Sequence, residues 1–325
     1  MKALFKRSLQ NTEIPGLVLL VVLVVLFSVF SNGIFVSTEN LRGILGLLPE
    51  IGIVAIGVAI LMIAGEFDLS VGSTFGLVPM VMVVFMSHGW GFAPAFGVAM
   101  LIGIGIGLVN AFVTLRLGIP SFITTLGMLF MMRSLTVVIS GGFPPQIPSD
   151  VPRWLFTDYF GPGNFLRASF VWLVIIAICA SLMLSRSNFG NWIKASGGQV
   201  AAAAALGVPV MRVKTICFAG CALLAGFAGV IQSLRLNSVM SSTGDGMELQ
   251  AVAASVIGGV SLVGGIGTVF SAIIGALLIR VIDNGLVLTR TDPNWFKFAV
   301  GALIVFAVVA NSWLQRLGKS VRVAG

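Results

Sequence analysis

Charge is scarce in this chain. Only 9% of its 325 residues are Asp, Glu, Lys or Arg, against about 25% in a soluble globular domain. So few charges cannot coat a protein of this size, which excludes a water-soluble fold and a disordered chain alike. There is one histidine, His88, which excludes His-rich metal sites and His-based triads. It stands at the end of an apolar run beside Trp90 and reads as interfacial. The three cysteines, Cys179, Cys217 and Cys221, all lie in apolar runs. The last two are one helical turn apart, not in a redox C-x-x-C pair, and all three read as small buried hydrophobes. Gly318-Lys319-Ser320 ends like a phosphate-binding loop, but Trp313 stands where that motif needs its first Gly and no strand precedes it. No cluster of catalytic carboxylates appears either. The expectation is a conduit or carrier, not an enzyme, with no metal and no cofactor.

What is abundant is apolar surface: 58% hydrophobic residues, with 40 Gly and 24 Phe. A bilayer core of about 30 Å takes about 20 apolar residues per helix. Runs of that kind cover residues 15–35, 41–64, 70–87, 91–115, 121–140, 168–184, 213–234, 249–263, 268–288 and 295–313. The third, sixth and eighth are short, suited to little tilt or to segments that enter and leave the same face. A transmembrane β-barrel would show alternating strands of about ten residues with a polar lumen face; these runs are apolar all round. The fold class expected is an all-α integral membrane protein of about ten transmembrane helices, some short or broken, forming a single domain over residues 1–325.

Ten crossings place Lys2, Lys6, Arg7, Arg116, Arg186, Lys194, Arg212, Lys214, Arg316, Lys319 and Arg322 on one side. Arg42, Arg153, Arg167, Arg235, Arg290 and Lys297 fall on the other, and Arg133 and Arg280 fall within spans. The richer side is the cytoplasmic one by the positive-inside rule, so both termini are expected there. The same rule accounts for the net charge of +8 without a nucleic-acid partner. The first apolar run is too long for a signal-peptide core and no A-x-A site follows it, so it is expected to stay as an anchor.

Small residues recur at four-residue spacing within the spans: Gly103/Gly107, Ala222/Gly226, Ala225/Gly229 and Ser271/Gly275. In lipid, such pairs let helix backbones approach. Two segments break helices at membrane depth, one over residues 64–73 (A-G-E-F-D-L-S-V-G-S) and one over 257–267 (I-G-G-V-S-L-V-G-G-I-G). Their correspondence hints at an internal duplication, a frequent transporter architecture. Asp68 in the first break is placed to cap the following helix, or to act in transport or gating.

Charges inside spans cost about 2.5–3.5 kcal/mol each at the bilayer centre, so Glu50, Arg133, Arg280 and Asp283 should face protein or water. Arg280 and Asp283 are three apart and can pair. Arg133 has no partner nearby in sequence and reads as a lining residue of a pathway. Glu50, beside Pro49, is the one carboxylate placed for proton coupling. Of the two long loops, the cytoplasmic one (185–212) holds an Ala-rich stretch, 199–206, expected to be helical, with Gly207 and Pro209 ending it. A helix of about 12 Å cannot span; it suits a surface peg against which a partner packs, or a cover for its own bundle. The outer loop (141–167) carries five prolines with Trp154, Phe156, Tyr159 and Phe160 between them. It reads as an extended lid on the bilayer or as a docking surface for an external protein.

Several of these stretches together resemble one family. G-E-F-D-L-S-V-G-S at 65–73, Gly197-Gly198 with Ala201-Ala202 and Gly207, L-A-G-F-A-G at 224–229, L-Q-A-V-A at 249–253 with V-I-G-G at 256–259, Gly264-Gly265-x-Gly267 and Asn284-Gly285-Leu286 are similar, in order and spacing, to the permeases of ribose/xylose/arabinose/galactoside-type ABC importers. The resemblance spans roughly residues 15–312. It implies a permease acting with a second permease copy, a cytoplasmic ABC ATPase and a periplasmic sugar-binding protein, within a bacterial inner membrane. It places ATPase coupling on Gly197, Gly198, Ala201, Ala202, Ala205 and Gly207. Candidate residues of the translocation pathway are Asp68, Ser70, Asn110, Met128, Arg133 and Asn284. Glu66-Phe67 departs from the small apolar pair usual before the Asp, and Gln199 stands where Asn is common. The expected function is ATP-driven import of a monosaccharide. The competing reading is a carrier of a small neutral solute driven by an ion gradient; a membrane scaffold is a third.

Overall fold

A computed structural model describes residues 13–292 together with 295, 296, 298–302 and 305. The amino-terminal basic residues, Arg316, Lys319, Arg322 and most of the 295–313 run lie outside the described residues.

Twelve α-helices are present among them: α1 (Ile14–Phe30), α2 (Thr38–Ile63), α3 (Val71–Ser87), α4 (Phe92–Arg116), α5 (Ser121–Ser140), α6 (Arg153–Phe156), α7 (Ala168–Arg186), α8 (Asn188–Gly198), α9 (Val200–Ala205), α10 (Val210–Leu236), α11 (Met247–Gly258) and α12 (Val269–Leu288). Six of them (α2, α4, α5, α7, α10 and α12) are long and apolar enough to cross a membrane, and α1, α3 and α11 are shorter apolar helices. The protein is thus an α-helical, multi-pass membrane chain.

Most helices start and stop where the residues dictate. Ser37 opens α2 by accepting from the amide of Asn40 at 3.3 Å, and Thr268 opens α12 by accepting from Ser271 at 3.0 Å. Each side-chain oxygen satisfies a backbone donor that the first helical turn leaves free. Differences from the sequence reading have local causes. The 15–35 run divides into α1 and a short 3₁₀ turn, Ile34–Val36, because Asn32 and Gly33 take positive φ angles of 52° and 83°. The 249–263 run becomes α11, which stops at Gly258 before Gly259 (φ 114°). Its twelve residues rise about 18 Å, short of a bilayer core. The sixth run extends to 19 residues as α7.

Neither long loop is extended throughout. The 185–212 segment contains α8 as well as α9, with Ser187 capping α8 through Gly190 N–H at 3.0 Å. The 141–167 segment contains α6 and a two-stranded antiparallel hairpin, β1 (Tyr159–Phe160) with β2 (Leu166–Arg167). It is also stitched to the loop after α10, where Ile147 N–H donates to Asn237 at 3.3 Å. Phe156 leaves the surface altogether and packs among Phe92, Phe96, Trp172 and Phe227.

α2 is the central helix, buried along nearly all of its apolar stretch, whereas α5 and α7 leave most of theirs half-buried or exposed, and Cys179 on α7 is exposed, not buried as its apolar run suggests. α10 packs on α2, α3 and α4, and α11 on α12. The four-residue small pairs are the contact points. A Cβ on Gly107 would lie 2.5 Å from the Phe218 carbonyl, one on Gly229 would strike the Phe75 carbonyl, and one on Gly275 would strike Ala254. Helix association in lipid rests on such close packing, because water-driven burial is absent there.

Candidate functional site

At one end of the bundle three distant segments meet on bare backbone. Gly197, in the last turn of α8, lies against Ile63, Ala64 and Gly265, and a Cβ on it would strike the Ile63 carbonyl. Gly65, Gly264 and Gly265, all with positive φ, close the same cluster: a Cβ on Gly264 would lie 2.7 Å from the Gly197 carbonyl, and one on Gly265 2.8 Å from Gly198 Cα. Gly265 N–H donates to Ile63 O at 2.8 Å. Both helix breaks therefore touch the same joint, and α9 begins two residues beyond it. On its far side, α9 is followed by Gly207 (φ 82°) and by α10, whose Lys214 reaches back to Glu66 of the first break at 2.6 Å. That ion pair is largely buried and gives the unusual Glu66 a partner. The Ala-rich helix is thus tied to the first break on both flanks.

α9 itself is short and apolar, with a surface that is not covered. Ala201, Ala202, Ala204 and Ala205 are exposed, only Ala203 is buried, and Leu206 is 85% exposed.

The first break is held by side chains in place of the missing helical hydrogen bonds. Phe67 N–H donates to Ser121 Oγ at 3.2 Å and Leu69 N–H to Thr125 Oγ1 at 3.0 Å, both acceptors lying in the first turns of α5. Asp68, 0% exposed, accepts from the Ser70 amide at 2.7 Å, from Ser70 Oγ at 2.6 Å and from Asn110 Nδ2 at 3.2 Å. Asp68 therefore binds the amide of the N-cap residue Ser70, not an amide inside α3 as the sequence reading had it. Irregular backbone at membrane depth survives only when its polar groups are satisfied in this way. Asp68, Ser70 and Asn110, chosen separately from the sequence, form one buried cluster.

The other pathway candidates lie elsewhere. Met128 is packed in the core. Arg133 is not without a partner: Nη1 donates to the carbonyls of Thr243 (2.6 Å) and Ser241 (3.1 Å), and Nη2 pairs with Asp245 at 2.8 Å. It clamps the loop that leads into α11, a contact that sequence proximity gives no hint of. Asn284 and Asn40 exchange two amide hydrogen bonds of 2.9 Å, joining α12 to α2.

Glu50 is likewise not a free carboxylate. It is 1% exposed and accepts from Arg235 Nε at 2.5 Å, Arg235 Nη2 at 3.2 Å and Gln232 at 2.9 Å, with Arg280 at 4.0 Å. The Arg280–Asp283 pair forms as expected, at 3.4 Å. Sequence reasoning missed Gly65, Gly264 and Gly265 as members of the joint, although both breaks were visible. It also missed Glu248, whose Oε2 is buried without a hydrogen-bond partner and fills the space above Gly72.

The fold and the site define an α-helical membrane bundle in which two backbone breaks meet beside an exposed apolar helix. The chain belongs to the family of permease components described by the branched-chain amino acid transport system, whose model matches residues 40–308. It is 33% identical over 304 residues to the xylose/arabinose import permease protein XylH of Sulfolobus acidocaldarius, covering 91% of this chain and 83% of the relative. It is 33% identical over 305 residues to the ribose import permease protein RbsC of Escherichia coli strain K12, covering 93% and 94%. With the autoinducer 2 import system permease protein LsrC of Yersinia enterocolitica it shares 31% identity over 317 residues, covering 96% and 86%. No solved structure gives a significant match. The chain is a transport component, not an enzyme.

Proposed function

We propose that this permease imports a monosaccharide or a sugar-like solute across a bacterial inner membrane, driven by ATP hydrolysis in a separate subunit. The relatives named for ribose, for xylose/arabinose and for autoinducer 2 support this solute class over an amino acid. The observation that carries the coupling half is α9: exposed and apolar, and tied on both flanks to the 64–70 break. A cytoplasmic ATPase seated on Ala201, Ala202 and Ala205 pushes a rigid peg. Gly197, Gly198 and Gly207 set its angle, and the displacement passes through the glycine joint and the Lys214–Glu66 pair into both breaks. A periplasmic binding protein delivers the solute at the other end, and the passage forms between this chain and a second permease copy. Asp68, Ser70 and Asn110 act as the buried brace of the moving segment, while Arg133, Met128 and Asn284 shape the remainder of the path.

The test is reconstitution in lipid with the ATPase and binding protein encoded beside it. Solute-loaded binding protein is expected to raise ATPase activity and uptake together, and Ala202→Arg to abolish both while the permease still folds. Retained stimulation in that variant removes α9 from the coupling role. Uptake that proceeds without the ATPase and collapses with a protonophore establishes the ion-gradient carrier instead. The ion pairing of Glu50 leaves that alternative without its best carboxylate.

A further inference from the structure

A polar pocket of about 450 Å³ opens at the end of the bundle that carries the β1–β2 hairpin, the end away from α9. Its walls come from α6, the hairpin and the last turn of α10, and they bring together three guanidinium groups, Arg153, Arg167 and Arg235, against one carboxylate, Asp158. Two of the three arginines are already oriented by the protein. Arg153 donates to Asn237 Oδ1 at 2.6 Å, and Arg235 is turned toward Glu50. Arg167 is different. Its Nε and Nη1 are buried and have no hydrogen-bond partner, and none of the ion pairs among the described residues uses it. Its Cδ and Nε lie against Gly46 of α2, each 3.5 Å from where a Cβ on that glycine would stand.

Tyr159 adds to the imbalance. The guanidinium carbons of Arg42 and Arg167 lie 4.1 Å and 4.6 Å from the centre of its ring. Two like charges gathered on one ring repel, and an anion beside them relieves that repulsion. An unsatisfied buried guanidinium costs more than an ordinary unmade hydrogen bond, because the charge is desolvated as well.

We infer that this pocket binds a phosphate group, with the Arg167 nitrogens as the central donors and Arg153 on the rim. A guanidinium fork matches tetrahedral oxyanions in two-point contact. The volume lies in the small-ligand range of about 300–1,000 Å³, far more than one protein carboxylate would occupy. Two sources offer the group: free phosphate or a phospholipid headgroup. Trp154 stands next to Arg153 on α6 and is 72% exposed, and exposed tryptophan belongs at the headgroup level of a bilayer. The site is separate from α9, so it stands or falls independently of the coupling assignment.

The full-length chain purified in detergent tests this by native mass spectrometry with three probes: a phosphatidylglycerol, the diacylglycerol with the same chains, and inorganic phosphate alone. Binding of phosphatidylglycerol but not of the diacylglycerol, weakened about tenfold in Arg167→Gln and in Arg153→Gln, supports a headgroup site. Binding of inorganic phosphate with the same dependence supports a site for the free anion. Equal binding by wild type and both variants, equal binding of the diacylglycerol, or binding of neither phosphate probe overturns the assignment. So does an acidic polyglutamate peptide that binds through Arg167 when both phosphate probes fail. If Arg167→Gln loses its helical circular dichroism, Arg153→Gln decides the question.

Discussion

The amide of Gly265 donates to the carbonyl of Ile63 at 2.8 Å. This one bond joins the end of the central helix to the segment between α11 and α12, and Gly197 is pressed against both. A side chain at Gly197 or at Gly265 would push these backbones apart.

Gly197→Val is expected to be disruptive where Gly207→Val is only mildly so. The Gly197 Cβ meets backbone from Ile63, Ala64 and Gly265, whereas Gly207 has open space and a strained φ of 82° alone. The cost is several kcal/mol in the first case and about 1–2 kcal/mol in the second. Thermal unfolding in detergent, followed by tryptophan fluorescence, should rank them in that order; the reverse order refutes the packing assignment.

Asp68→Leu should destabilise more than Asp68→Asn. Leucine leaves the Ser70 amide and the Ser70 hydroxyl without their acceptor, at about 1–3 kcal/mol for each buried group left unmade, while Asn110 keeps only its 2.9 Å bond to Ser70 Oγ. Asparagine keeps one oxygen for the Ser70 amide. Equal unfolding midpoints for the two variants would show that the cluster does not brace the break.

Removing Glu50 alone strands Arg235 and leaves Arg280 with Asp283 as its one ion-pair partner among the described residues. Glu50→Gln is expected to cost about 3–5 kcal/mol, the usual penalty for breaking one side of a buried ion pair. In the double variant with Arg235→Gln, part of that loss should return, with a coupling of about 0.5–3 kcal/mol between neighbours. Strict additivity would mean that the 2.5 Å contact contributes nothing.

Arg133→Leu should free the loop before α11, since the guanidinium holds the Ser241 and Thr243 carbonyls as well as Asp245. Hydrogen exchange over residues 238–246 is the readout. Arg133→Lys restores the charge but not the fork, so it should protect the segment only partly. Unchanged exchange in both variants would remove the clamp.

Asn284 separates bracing from transport. Asn284→Leu breaks both 2.9 Å bonds to Asn40 and should cost about 1–3 kcal/mol, whereas Asn40→Leu should cost more, because it also frees the Phe35 carbonyl that accepts from Asn40 Nδ2 at 2.7 Å. A fall in uptake with no loss of stability would instead place Asn284 on the solute path.

Composition and hydropathy alone decide much of this protein. The near absence of charge leaves lipid as the solvent, and backbone groups in lipid must bond within their own helix, so the apolar runs have to become helices. Nine runs do so at close to their expected positions. The glycine spacings announce close packing because only a missing side chain lets two backbones touch, and the Ala-rich stretch with Gly207 after it marks a short helix. Which distant groups meet is a different matter. Arg133 and Asp245, Glu50 and Arg235, Lys214 and Glu66 are joined by how α2, α5 and α10 cross. A charge in an apolar run shows that a partner must exist, since isolation there is too costly, but the local sequence does not name it. The convergence of the two breaks on Gly197 likewise arises only when the whole bundle closes, because that contact is made of backbone, which carries no residue pattern to read.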